Sequence, residues 1–144
     1  MTQTVQQALS AAKLYTDDQI YKIVHLPIQG LMAAAGVIAE ISEPFSAVIA
    51  DKDEVTLVLR AEDLQEYARR LPGHIASTDD YRLITFDVEL DPDLVGFMAR
   101  ISTALAEAKV TILPFAAFNR DHLLVPAVQF ERAINALRNL QSGS

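Results

Sequence analysis

Shifting the chain by 66 residues lays one half on the other without a gap, and such a repeat commits it to two copies of one small unit. Gly30, Met32 and Ala33 fall on Gly96, Met98 and Ala99. Ala50, Leu57, Ala61 and Leu71 fall on Ala116, Leu123, Ala127 and Leu137. Identity at this level means little in a chain rich in Ala and Leu. The matched order of predicted elements carries the repeat.

That order is strand, helix, hairpin, helix. In the first half, Ile20–Leu26 reads as a strand, and Leu31–Ile41 carries apolar residues at helical spacing. Phe45–Ala50 and Val55–Arg60 form a hairpin around an acidic turn, and Ala61–Leu71 is a helix stopped by Pro72-Gly73. In the second half, Tyr81–Leu90 alternates Phe86, Val88 and Leu90 with Thr85, Asp87 and Glu89, the pattern of a sheet with one wet face. Asp91-Pro92 then supplies an N-cap and a first-turn proline for a helix over Leu94–Lys109. Val110–Phe118 and His122–Val125 predict a second hairpin, and Phe130 to Leu140 a last helix ahead of a Ser-Gly-Ser tail. Thr4–Leu14 reads as a short helix or a frayed arm.

The fold expected is therefore α+β: a helical arm over residues 1–18, one module over 19–80 and a second over 81–141, with the strand at 81–90 available to both. Each module is of the ferredoxin-like βαββαβ type with an antiparallel sheet. The second has no sequence left for a fourth strand after Leu140. The arm fills that edge, or a partner chain does, or it stays open; the partner-chain option predicts a homodimer.

Composition narrows the function classes. Twelve Lys and Arg against nineteen Asp and Glu give a net charge of −7, the wrong sign for nucleic acid or an anionic membrane surface. With no cysteine, thiolate zinc sites, iron–sulfur clusters and cysteine nucleophiles are excluded. The first residues lack the charge order of a signal peptide and no apolar run spans a bilayer, so a cytoplasmic location is expected.

The segment 112–140, with AAFNRDHLLVPAVQFERAINALRNL inside it, resembles the ACT domains, amino-acid-sensing regulatory modules. The resemblance is to the subgroup shared by small bacterial proteins and the arginine-sensing CASTOR proteins, where a pattern like STFxxDxxLVxxxxxxxAxxAL recurs. EPFSAVIADKDEVTLVL fits that group's first module more loosely. The resemblance implies tandem ACT-type modules with an amino acid held between them by a strand-to-helix loop and the following hairpin. On matching positions it implicates Gly96, Phe118 and Asp121, with Asp121 pairing with a ligand ammonium or guanidinium. The pattern's Ser-Thr pair is Ala116-Ala117 here, so two hydroxyl contacts are missing.

The residues themselves point to the same loop. In Asp91-Pro92-Asp93-Leu94-Val95-Gly96 a strand runs into a helix, whose free N–H groups and dipole suit a carboxylate. Gly96 lets a ligand approach the backbone. The candidate ligand-binding set is thus Asp91, Leu94, Val95, Gly96, Phe118 and Asp121. Three of them also have a plain structural use: Asp91 as a cap, Gly96 for packing, Asp121 in a turn. Pro27-Ile28-Gln29-Gly30, the matching loop of the first module, has neither acid nor cap.

His25, His74 and His122 share no metal-ligand spacing, and the acid clusters read as solvated turns. Asp121 beside His122 offers a His–Asp pair for base chemistry, but no nucleophile or phosphate-loop motif accompanies it. No cofactor or catalytic residue is expected. The leading expectation is a non-catalytic regulator binding a small amino acid, with a protein partner to receive the signal. The alternative is an interaction module whose ligand site has decayed.

Overall fold

The computed structural model describes residues 2–41 and 44–143. The elements in chain order are α1 (Val5–Ala11), β1 (Lys13–Thr16), β2 (Tyr21–Leu26), α2 (Leu31–Glu40), β3 (Ala47–Ala50), β4 (Val55–Arg60) and α3 (Ala61–Tyr67). They continue with β5 (Ile75–Ala76), β6 (Tyr81–Asp87), α4 (Phe97–Glu107), β7 (Leu113–Ala116), β8 (Asp121–Pro126) and α5 (Phe130–Gln141). Glu43 and Ser144, which the sequence reading placed in a family segment and in the tail, lie outside the described residues. Two compact units result: a contiguous one, Gln19–Tyr81, and a split one joining Met1–Asp18 to Arg82–Ser144. Among the described residues no helix is long and apolar enough to cross a membrane.

The contiguous unit is a βαββαβ fold with strand order β5-β2-β4-β3, all neighbours antiparallel. Val55, Leu57 and Leu59 alternate along β4 and pack with Val24 and Leu26 of β2 against Ala34 and Val37 of α2. The acidic hairpin turn is an Asx turn, in which Asp51 Oδ1 accepts from the N–H groups of Asp53 (2.8 Å) and Glu54 (3.0 Å). The β4–α3 corner is held by a bidentate pair, Arg60 Nε to Asp63 Oδ2 (2.8 Å) and Arg60 Nη2 to Asp63 Oδ1 (3.1 Å). Its fourth strand, β5, is two residues long and has no period to read in the sequence.

The split unit has strand order β1-β6-β8-β7. It is the same βαββαβ arrangement, except that its fourth strand comes from the N-terminus. β1 pairs antiparallel with β6, Leu14 opposite Phe86 and Thr16 opposite Ile84. The sheet edge that suggested a partner chain is thus occupied by this chain itself, and that reason for a homodimer falls away. The segment read as an arm, residues 1–18, is structural. Thr4 and Gln7 form a reciprocal capping box at the start of α1, and Ala8 and Leu9 are buried. At its other end, Gln141 Nε2 donates to Leu9 O (2.9 Å) and Ala12 O (2.7 Å), satisfying carbonyls the helix leaves free. The core of this unit joins Leu9, Ile84, Phe86, Ile101, Leu105, Leu123 and Leu137.

The 66-residue register holds for α2 on α4, β3 on β7 and β4 on β8, but not for the first strands. Between β2 and α2 lie residues 27–30; between β6 and α4 lie residues 88–96. The predicted strand to Leu90 therefore ends at Asp87, and the helix predicted from Leu94 starts at Phe97. Asp91 does not cap α4, whose N-cap is Gly96 with no side-chain bond.

If α1 is an integral part of this unit, Leu9→Ala empties a core position that is only 1% exposed. We expect a loss of about 2–5 kcal/mol in urea unfolding. A frayed arm would instead leave the stability unchanged.

Candidate functional site

The longer strand-to-helix loop of the split unit makes room for a cleft of about 350 Å³. Its floor is the start of α4, where Gly96 sits at φ 98°, a left-handed conformation that only glycine adopts freely. Arg100 N–H makes the first bond of the helix, to Gly96 O (3.1 Å). The N–H groups of Phe97, Met98 and Ala99 precede it and have no side-chain cap, the usual situation at an anion-accepting helix start.

Two sets of hydrogen bonds shape the loop. Within it, Leu94 N–H donates to Asp91 O (3.0 Å), a turn with Pro92 at its second position. From outside, Gln3 clamps it: Gln3 N–H donates to Asp91 Oδ2 (2.9 Å), Asp91 N–H to Gln3 Oε1 (3.0 Å), and Gln3 Nε2 to Glu89 O (3.1 Å). The Asp91 carboxylate thereby anchors the loop to the chain start.

The opposite wall is the β7–β8 hairpin. Ala117 N–H donates to Arg120 O (3.0 Å), closing a four-residue turn, and Leu90 N–H donates to Asn119 O (2.8 Å), tying the turn to the loop. Arg120 is latched to Asp87 at 3.0 Å. Phe118 stands at the tip, 98% exposed.

Five of the six residues singled out in the sequence line this one cleft: Asp91, Leu94, Gly96, Phe118 and Asp121. Val95 does not. It is 86% exposed and lines a separate groove beside α4. The sequence reading missed Gln3 and Arg120, which hold the walls in place, since their partners are distant in sequence and leave no local pattern. Ala117, standing where the family pattern has a hydroxyl, lines the cleft as well.

Asp121 is the chemically notable group. Its carboxylate is half-buried, and among the described residues it has no hydrogen-bond or ion-pair partner. Burial alone raises its pKa above the ordinary carboxylate value. His122 faces different surroundings, with Nδ1 2.8 Å from the hydroxyl of buried Thr85. Burial, then the nearby Arg120 charge, lower its pKa, so it is neutral at pH 7. Successive side chains of a strand leave on opposite faces, which separates His122 from the Asp121 carboxylate and argues against a His–Asp base.

The Asp121 shift has a consequence for stability. An acid whose folded pKa is raised binds protons more readily when folded, so its ionised form weighs against the fold at neutral pH. That cost is relieved as pH falls through the raised value toward the unfolded one. Asp121→Asn is expected to be more stable than the native chain at pH 7 and to lose this acid-side gain in urea melts. Equal stability and an unchanged pH profile would contradict the assignment.

Residues 76–139 match the family model of the ACT domain. No curated protein sequence matches the chain. Among solved structures, a protein of unknown function from Vibrio cholerae, described as a possible transport protein, is 26% identical with a TM-score of 0.71, over 96% of each chain. A protein from Agrobacterium tumefaciens is 20% identical with a TM-score of 0.69, over 89% of this chain and 87% of that one. The ligand-free regulatory subunit of aspartate kinase from Thermus thermophilus is 18% identical with a TM-score of 0.67, over 90% of this chain and 97% of that one. The chain thus has the α+β, ferredoxin-like fold of ACT-type regulatory domains, with an ACT domain matched over residues 76–139.

Proposed function

We propose that this chain is a non-catalytic regulatory protein that binds a small amino acid in the cleft of the split unit and acts on a protein partner in the cytoplasm. The observation that carries this reading is the desolvated, unpartnered Asp121 carboxylate in the same cleft as the uncapped start of α4. The two poles suit a zwitterion. The ligand ammonium pairs with Asp121, and its carboxylate accepts from the free N–H groups at Phe97 to Ala99. Leu90, Leu94 and Phe118 offer apolar contact to the side chain between them. Asp91 serves by fixing the loop. The ACT match and the fold shared with an aspartate kinase regulatory subunit support a sensing role.

An acid held at a cost to the fold is what a binding site keeps and a scaffold discards. A ligand that binds the folded chain only stabilises it by RT ln(1 + [L]/Kd), about 2.7 kcal/mol at a hundredfold excess over Kd. Through that linkage, ligand biases whichever conformation the partner reads.

One feature favours the alternative, an interaction module with a decayed site: Ala116-Ala117 offers no hydroxyl to a ligand. Thermal unfolding against the twenty amino acids, with arginine and lysine derivatives added, separates the two. We expect one compound or a few related ones to raise the melting temperature, and Asp121→Asn to abolish the shift. A flat panel for the native chain would favour the interaction module.

A further inference from the structure

We propose that the cleft selects an amino acid with an uncharged, apolar side chain in the size range of leucine to methionine, and that Phe118 is the residue that reads this side chain. The proposal rests on the amino-acid reading above and narrows its ligand class. At about 350 Å³ the cleft lies at the small end of small-molecule sites, which run from about 300 to about 1,000 Å³. That volume suits one free amino acid rather than a peptide or a nucleotide.

The charges of the lining set what is excluded. Among the described residues these are Asp91, Arg120 and Asp121. Asp91 is exposed, and its Oδ2 already accepts from Gln3 N–H (2.9 Å). Arg120 Nη1 donates to Asp87 Oδ1 (3.0 Å). Asp121 is left for the ligand, and one carboxylate neutralises one cation. The α-ammonium takes it. A lysine or arginine ligand brings a second cation, which would meet only the solvated Asp91, a contact worth little, while Arg120 in the same lining repels it. A glutamate or aspartate side chain gains Arg120 only by displacing Asp87, which exchanges one carboxylate for another in a chain of net charge −7. Either ligand carries a charge that the cleft desolvates without pairing, and an unpaired charge is a strong basis for rejection.

The rest of the lining favours hydrocarbon. Leu90, Leu94 and Met98 line the cleft and are partly buried against the core of the unit. Ala117 adds a methyl group and no side-chain donor or acceptor. Phe118 is the contrast, a large aromatic on the cleft wall that is 98% exposed. Its ring makes almost none of the apolar contact that usually stabilises such a residue. A ligand side chain long enough to touch both Leu94 and Phe118 recovers part of that contact, and the short side chain of alanine does not.

Ligand titrations of the native chain, Phe118→Ala and Asp121→Asn with L-norleucine, L-lysine, L-glutamate and L-alanine test this. Lysine is norleucine with an ammonium on its last carbon, so the pair isolates the charge. Norleucine is expected to bind the native chain at least about tenfold more tightly than lysine or glutamate. Phe118→Ala is expected to weaken norleucine by about tenfold and to leave the weaker binding of alanine within about twofold. Phe118 is exposed, and far-UV circular dichroism checks that the variant is folded. Lysine or glutamate binding as tightly as norleucine would overturn the proposal, and so would a Phe118→Ala chain that keeps norleucine or loses both ligands alike. In those cases the amino-acid reading still stands if Asp121→Asn abolishes the binding that is seen. A native chain that binds none of the twenty amino acids would overturn both.

Discussion

A βαββαβ sheet needs a strand beside its first strand, and in the split unit none of the elements from β6 to α5 supplies it. β1 meets that need from the other end of the sequence, pairing with β6 over Lys13–Thr16. Much of the unit follows from this placement. α1 comes with β1, buries Ala8 and Leu9, and is tied to the end of α5 through Gln141. The residues before α1 are then within reach of the 88–96 loop, where Gln3 grips Asp91 and Glu89. The cleft that we read as a ligand site is lined by residues between Leu90 and Asp121, and one of its walls is held by Gln3 from the other end of the sequence.

Electrostatics distinguish that cleft from an ordinary surface dip. Most acids of this chain are solvated or paired, as Asp63 is with Arg60 and Asp87 with Arg120. Asp121 is neither. A carboxylate that burial holds above its ordinary pKa, with no donor beside it among the described residues, is the kind of perturbed acid that concentrates at binding sites. A bound ammonium would reverse the sign of the shift, because an adjacent cation favours the ionised form. Ligand affinity and relief of the unpaired acid are then the same free energy.

Much of this was legible in the sequence because the repeat is carried by hydrophobic period, which reads locally. The helix at Phe97–Glu107 and the hairpin of β7 and β8 lie on their first-unit counterparts in the predicted register. The misread strand and helix ends share a cause: each depends on a partner far along the chain. Asp91-Pro92 has the local signature of a helix start, but Gln3 takes the carboxylate, and the helix begins only at Phe97. β1 and β5 are too short to show alternation, and pairing alone makes them strands. Val95 is next to Leu94 and Gly96 in sequence, yet the turn sends it to another groove. The resemblance and the strand-to-helix loop named residues that line one cleft, while the clamp that shapes it is tertiary.

The most direct measurement is the titration of the Asp121 side-chain carboxyl by carbon-13 NMR, without ligand and with the amino acid that binds. The account predicts a pKa above the ordinary carboxylate value in the free protein and a fall to below it when the ammonium arrives. An ordinary value in the free protein, or one unmoved by a ligand that demonstrably binds, would contradict it.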